Sequence, residues 1–139
     1  MPQLARLLVP IHHWQTMLDH ILACMPEEAC GIVAGGDGIV VQVRPIENAA
    51  HSPSRFRMEP RAQVEGLLDL EAQGLELLGI YHSHPSGPPV PSGTDIAESS
   101  YPEAIALIWC SDRDGWQMRG FDLSGATPVE IEIGILPAP

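Results

Sequence analysis

Tyr81-His82-Ser83-His84-Pro85-Ser86-Gly87-Pro88-Pro89-Val90-Pro91-Ser92-Gly93-Thr94-Asp95 holds two histidines one residue apart, then a Pro/Gly-rich connection, then a serine three residues before an aspartate. Leu77 to His84 reads as a strand, and residues two apart on a strand point to one face. His82 and His84 can therefore bind one ion side by side, with Leu78 and Ile80 expected on the same face. The stiff Pro88-Pro89-Val90-Pro91 run can return the chain across the strand end at little entropic cost. Asp95 would then enter as a third ligand from a short helix spanning Gly93 to about Ser99. Two imidazoles and a carboxylate suit a catalytic Zn²⁺ that keeps its fourth position for water; Fe²⁺, Co²⁺ and Mn²⁺ accept the same ligand types. Ser92 and Asp95 also have the spacing of a plain capping box. The two roles are compatible.

Upstream, Ile11, Trp14, Leu18, Ile21, Leu22 and Met25 follow helical spacing, which predicts an amphipathic helix over 11–25 that stops before Pro26. Cys30–Ala34 and Ile39–Val43 read as strands joined by a hairpin turn at Gly35-Gly36-Asp37-Gly38. Arg55-Phe56-Arg57-Met58 is expected as a short strand. Pro60 suits a first helical turn, and Val64, Leu67 and Leu68 predict a second helix ending near Gly74. Downstream, Ala104–Cys110 and Trp116–Leu123 flank the turn signal Asp112-Arg113-Asp114-Gly115. Val129, Ile131, Ile133 and Ile135 alternate with Glu130 and Glu132 as a strand with one wet face. Helices interleaved with mostly hairpin-linked strands predict a single α/β (α+β) domain over 1–139: a mixed, mostly antiparallel sheet flanked by helices.

A metal-bound water needs a base. Glu28 is the candidate, set between Pro26 and the first strand, although Glu27 and Glu28 read locally as ordinary solvated acids. His12, His13, His20 and His51 lack partners at ligand spacing, and Trp14, Trp109 and Trp116 fall on packing positions. Cys24, Cys30 and Cys110 show no disulfide or CxxC pattern, so three buried, reduced thiols are expected.

At 139 residues and 45% hydrophobic content, with a mean hydropathy of +0.05, the chain can bury a real core. A net charge of -11 with scattered basic residues disfavours nucleic-acid binding, which needs a Lys/Arg footprint. The apolar stretch Leu4–Ile11 is short and interrupted by Arg6, so neither a signal peptide nor a membrane span is expected, and a cytoplasmic location follows.

Glu28-Ala29-Cys30-Gly31, Gly79-Ile80-Tyr81-His82-Ser83-His84 and Pro91-Ser92-Gly93-Thr94-Asp95 together resemble the JAMM (MPN+, JAB/MPN domain) metalloprotease family. Its motif is an upstream glutamate, then HxH, seven residues, serine, two residues and aspartate; here Pro85 to Pro91 supply the seven. Pro26–Gly31, Arg55-Phe56 before Pro60 and Ser100-Tyr101-Pro102 look like its stand-alone prokaryotic members, and the likeness covers about residues 10 to 135. The resemblance implies an MPN/JAB, cytidine-deaminase-like fold and one Zn²⁺ per chain on His82, His84 and Asp95. It makes Glu28 the general acid/base and Ser92 the oxyanion donor, with no covalent intermediate.

It also implies a substrate: a peptide or isopeptide bond after the C-terminal glycine of a ubiquitin-like or sulfur-carrier protein. The Gly-Gly tail of that partner is expected to lie beside a strand edge and thread towards the metal. Two other readings accompany this one. His82-Ser83-His84-Pro85-Ser86-Gly87 also looks like the JAB domain of the RadC family, associated by name with DNA repair, which the acidic charge disfavours. A ligand-free MPN scaffold is the other, and the presence of all five motif residues weighs against it. The oligomeric state, a homodimer included, is left open.

Overall fold

The computed structural model describes residues 5–139; Leu4, the first residue of the apolar N-terminal stretch, lies outside them. The elements in chain order are β1 (Arg6–Pro10), α1 (Ile11–Cys24), β2 (Cys30–Gly36), β3 (Ile39–Ile46), α2 (Pro60–Ala72), β4 (Glu76–Ser83), α3 (Gly93–Ala97), β5 (Ile105–Asp112), β6 (Gly115–Asp122) and β7 (Val129–Leu136). They form a mixed α/β fold in which β2–β3, β2–β4, β5–β6 and β6–β7 pair antiparallel. The parallel pairs are β4–β5, β1–β7 and β1–β3. The hydrogen-bonded order β1-β3-β2-β4-β5-β6-β7 closes on itself because β1 joins both ends, with Leu8↔Ile39 as its single registered pair to β3.

The β2–β3 turn follows from its residues. Asp37 and Gly38 both take positive φ, 53° and 74°, which the two central positions of a type I′ turn require. At α2, the Glu59 carboxylate accepts from the N–H groups of Arg61 and Ala62, and Pro60 occupies the first turn. Gly74, at φ +72°, then lets the chain leave the helix.

Two apolar bodies result. Leu7, Val9, Val33, Val40, Leu78, Tyr81, Leu107 and Trp109 pack with Met17 and Ile21 of α1. On the opposite face of the sheet, Cys30, Ile32, Ala34, Ile46 and Met58 pack with Leu70 of α2. The tryptophans do pack as expected: Trp109 is fully buried with Trp14 at 5.1 Å between ring centroids, and Trp116 lies against the same body.

Several expectations need correction. β1 was read only as an apolar stretch, yet Leu7 and Val9 alternate inward and Arg6 outward, the period of a strand. Arg55–Met58 is not a strand; its only ladder contact is the bridge Asn48↔Met58. Leu22 and Met25, assigned to the apolar stripe of α1, are exposed. The helix α3 ends at Ala97, short of Ser99. Of the cysteines, all free, Cys30 alone is fully buried, while Cys24 and Cys110 are half-buried.

Most consequential is a register shift in β4. Val33 pairs with Gly79 but Ala34 pairs with Leu77, so Leu78 is the extra residue of a β-bulge. Leu78 therefore joins the α1-side body while Ile80 and Leu77 face α2. Ile80 does share the face of His82; Leu78 does not.

Candidate metal centre

β4 carries His82 at its penultimate residue and releases the chain after Ser83, so His84 sits one residue beyond the strand. The His84 N–H still bonds the Trp109 carbonyl on β5, at 2.8 Å, which continues the ladder far enough to hold it. The Ser83 side chain points away from the histidines and accepts from the Ala29 N–H at 2.9 Å, while the Ser83 N–H donates back to the Ala29 carbonyl at 3.0 Å. This exchange locks the end of β4 to the segment bearing Glu28. The Glu28 N–H bonds the Ser52 carbonyl and its carbonyl accepts from Asn48, so both flanking peptides are tied.

The structure brings all five sequence-predicted residues to this place. The Nε2 atoms of His82 and His84 are 3.0 Å apart. One Asp95 oxygen lies 3.2 Å from His82 Nε2, the other 3.1 Å from His84 Nε2. Ser92 caps α3: its Oγ accepts from the Asp95 N–H at 3.0 Å, and Asp95 Oδ2 accepts from the Ser92 N–H at 2.8 Å. The capping box and the convergence on the histidines thus coexist in one carboxylate. Ser92 Oγ, occupied as an acceptor, keeps its own O–H to donate. Glu28, His82 and His84 are 4%, 2% and 6% exposed, and one donor atom from each falls within 4.8 Å of the others. Glu28 Oε1 is buried without a hydrogen-bond partner.

This donor set fits a divalent cation. His84 Nδ1 is 2.7 Å from the Pro88 carbonyl, which can only accept; Nδ1 therefore carries the hydrogen, and in the neutral ring that a metal takes Nε2 presents a lone pair. Two imidazole nitrogens and a carboxylate converging at 3.0–3.2 Å call for a positive charge among them, a proton in the bare protein or a metal ion in its place. Those separations are close to the edge of a tetrahedron of Zn–N and Zn–O bonds, about 3.4 Å.

Burial opposes ionisation of Asp95, but its hydrogen bonds with His82 and His84 hold the carboxyl far below the usual range. Burial depresses His82. Burial also pulls His84 down, and its bonds with Asp95 and the Pro88 carbonyl more than offset that. Glu28 is pushed up to about 7, chiefly by burial, with the His84 charge opposing and the Asp95 charge adding.

Sequence reading missed two contributors. Phe56 stacks on the His82 imidazole, 4.4 Å between centroids and 24° between planes. Asn48, buried, bonds the Glu28 carbonyl. Phe56 entered the sequence reading only as part of a family likeness and Asn48 not at all, because both are placed by the irregular 47–58 connection. A groove of about 340 Å³ leads to His82 and Asp95 between Arg55–Met58 and the 94–101 segment. Arg55 bonds Glu98 across it at 2.8 Å, and Gln63 donates to the Tyr101 hydroxyl at 2.8 Å. Away from the site, His20 meets the Tyr81 hydroxyl at 2.7 Å, and His51 lies 3.2 Å from Glu27 and 3.4 Å from Glu47.

Residues 10–121 match the family described as prokaryotic homologs of the JAB domain. A desampylase of Pyrococcus furiosus is 37% identical over 128 residues, covering 91% of this chain and 89% of that protein. The CysO-cysteine peptidase of Mycobacterium tuberculosis is 28% identical over 123 residues, covering 86% of this chain and 84% of that one. A solution structure of a protein from Desulfitobacterium hafniense superposes with a TM-score of 0.85 at 30% identity, covering 95% of this chain and 94% of its own. With the match running from the start of α1 through β6 and the Glu28, His82, His84, Ser92 and Asp95 constellation assembled inside it, the chain belongs to the prokaryotic homologs of the JAB domain.

Proposed function

We propose that this protein is a zinc metallopeptidase that hydrolyses the peptide or isopeptide bond after the C-terminal glycine of a ubiquitin-like or sulfur-carrier protein. The observation that carries the reading is the convergence of His82, His84 and Asp95 beside the unpartnered, buried Glu28 Oε1, at the end of a groove. Relatives named desampylase and CysO-cysteine peptidase, aligned over most of the chain, support the substrate class.

His82, His84 and Asp95 would hold one zinc ion per chain, whose Lewis acidity acidifies water and polarises a carbonyl. Glu28 lies within reach of the same point and takes the proton of the attacking water, then returns it to the leaving amine. Its burial suits that exchange, because a carboxyl held near neutrality both accepts and gives up a proton readily. Ser92 donates its free O–H to the oxyanion as the carbonyl turns tetrahedral. His84 is held in the correct tautomer by the Pro88 carbonyl. The thiols stay outside the chemistry, and burial raises all three.

The test joins metal analysis to turnover on a carrier ending in Gly-Gly with one further residue attached. About one zinc per chain is expected. Glu28→Gln should keep the zinc and the fold and lose about 10³-fold in kcat, the scale of a general-base contribution. Full turnover by metal-stripped protein, or unchanged turnover by the Gln variant, would overturn the reading. A metal-free scaffold predicts no stoichiometric zinc at all.

A further inference from the structure

Asn48 is buried, and every hydrogen-bonding position of its amide is spent on main chain. Nδ2 donates to the carbonyls of Glu28, at 3.0 Å, and Arg55, at 2.9 Å. Oδ1 accepts from the N–H groups of Ala50 and Arg57, both at 3.0 Å. Two donors and two lone pairs exhaust a carboxamide, so no other uncharged side chain of this size could make the same set. A turn at Asn48 needs only the Ala50 bond. The remaining three extend the pairing begun at Cys30↔Ile46 and at the Asn48↔Met58 bridge, and carry it to the Glu28 and Arg55 carbonyls that neither pair holds.

What they join is the site. The Glu28 carbonyl belongs to the peptide that sets the base, and Arg55 and Arg57 flank Phe56, whose ring lies on the His82 imidazole. One amide thus fixes the main chain under Glu28 and the main chain on both sides of the ring that backs His82. We propose that Asn48 is a positioning residue for the hydrolytic reaction, holding Glu28 and the Phe56–His82 stack in one register. The inference rests on the metallopeptidase reading and adds to it a residue outside the motif. It acts through Glu28 and touches neither water nor substrate. Misplacement of a reacting group by about 1 Å can cost about 10²-fold in rate, so loss of the clamp should appear in kcat.

Asn48→Asp tests this in the zinc-loaded protein. It keeps the size and the acceptors for Ala50 and Arg57, but sets a carboxylate against the Glu28 and Arg55 carbonyls. The comparator is Ile131→Ala, a core change on β7 that lowers the melting temperature without touching the site. At a temperature where both are folded, Asn48→Asp should lose about tenfold or more in kcat with KM raised less than about threefold. It should keep one zinc per chain yet release it at least about threefold faster to a chelator, while Ile131→Ala stays within about twofold of the parent in both. A kcat within about twofold of the parent, or a loss no larger than the comparator's, overturns the proposal. If Asn48→Asp does not fold, Asn48→Ser takes its place, and failure of both to fold overturns it too, since Asn48 would then be holding the fold. A parent protein without zinc or hydrolysis instead strikes the metallopeptidase reading, whereas an active parent with an unaffected variant strikes only Asn48.

Discussion

Ser92 has two roles for one hydroxyl: its lone pair caps α3, and its O–H is the proposed oxyanion donor. Substitution should therefore separate the two. Ser92→Ala is expected to lose about 10²–10³-fold in kcat from the missing oxyanion donor. It should also lose about 1 kcal/mol of stability from the missing cap, read by chemical denaturation. Ser92→Asp would restore the cap and leave kcat low; recovery of turnover in that variant would refute the oxyanion role. The motif residues were legible because the proposed chemistry restricts both type and spacing. The roles of Asn48 and Phe56 were not, because each acts by holding another group. Any loop asparagine or half-buried phenylalanine looks the same in sequence.

Among the elements, β2 and β4 must lie close enough for Ser83 and Ala29 to exchange bonds, and Gly31 marks that constraint. A Cβ at Gly31 would strike the Tyr81 ring and come within 2.6 Å of the Arg44 carbonyl. Gly31→Ala should therefore cost about 1–3 kcal/mol, seen as a melting temperature lower by several degrees. Packed against the same Tyr81, His20 has its pKa lowered by burial. The unfolded chain then binds a proton that the folded one resists, so this contribution is complete above about pH 6.5 and is lost as the pH falls. Denaturation of the parent and His20→Gln across pH 5 to 8 should show a shallower acid decline in the variant; parallel curves would discard the assignment. Most elements were readable from period and turn chemistry. The exceptions share a cause: β1 is too short for its alternation to stand out, and the Leu78 bulge is written in pairing rather than in residue type.

For the whole molecule, the strands, the capped helix and the Ser83 and Asn48 clamps that carry the site are each held by protein hydrogen bonds of their own. This separates it from small domains whose folding is metal binding. Chelation should leave the far-ultraviolet circular dichroism unchanged while lowering the melting temperature. Saturation at about 100 times the dissociation constant adds about 2.7 kcal/mol. Collapse of the spectrum on chelation would contradict a preformed site. Charge follows the same division between body and groove. All seven lysine-plus-arginine residues are arginine, and Arg55 and Arg57 line one groove wall of a chain with net charge -11. Among the described residues, no helix is long and apolar enough to cross a membrane.

The extra residue at Leu78 gives β4 two halves whose facings are set separately. Upstream, the strand answers to α2 and its ladder partner Ala34 on β2; downstream, His82 answers to Cys30 and Ile108. A residue gained or lost in the link from α2 can be absorbed where the ladder is already out of step. The histidines then keep their direction. His82 and His84 are thus buffered against changes of length in the chain before them.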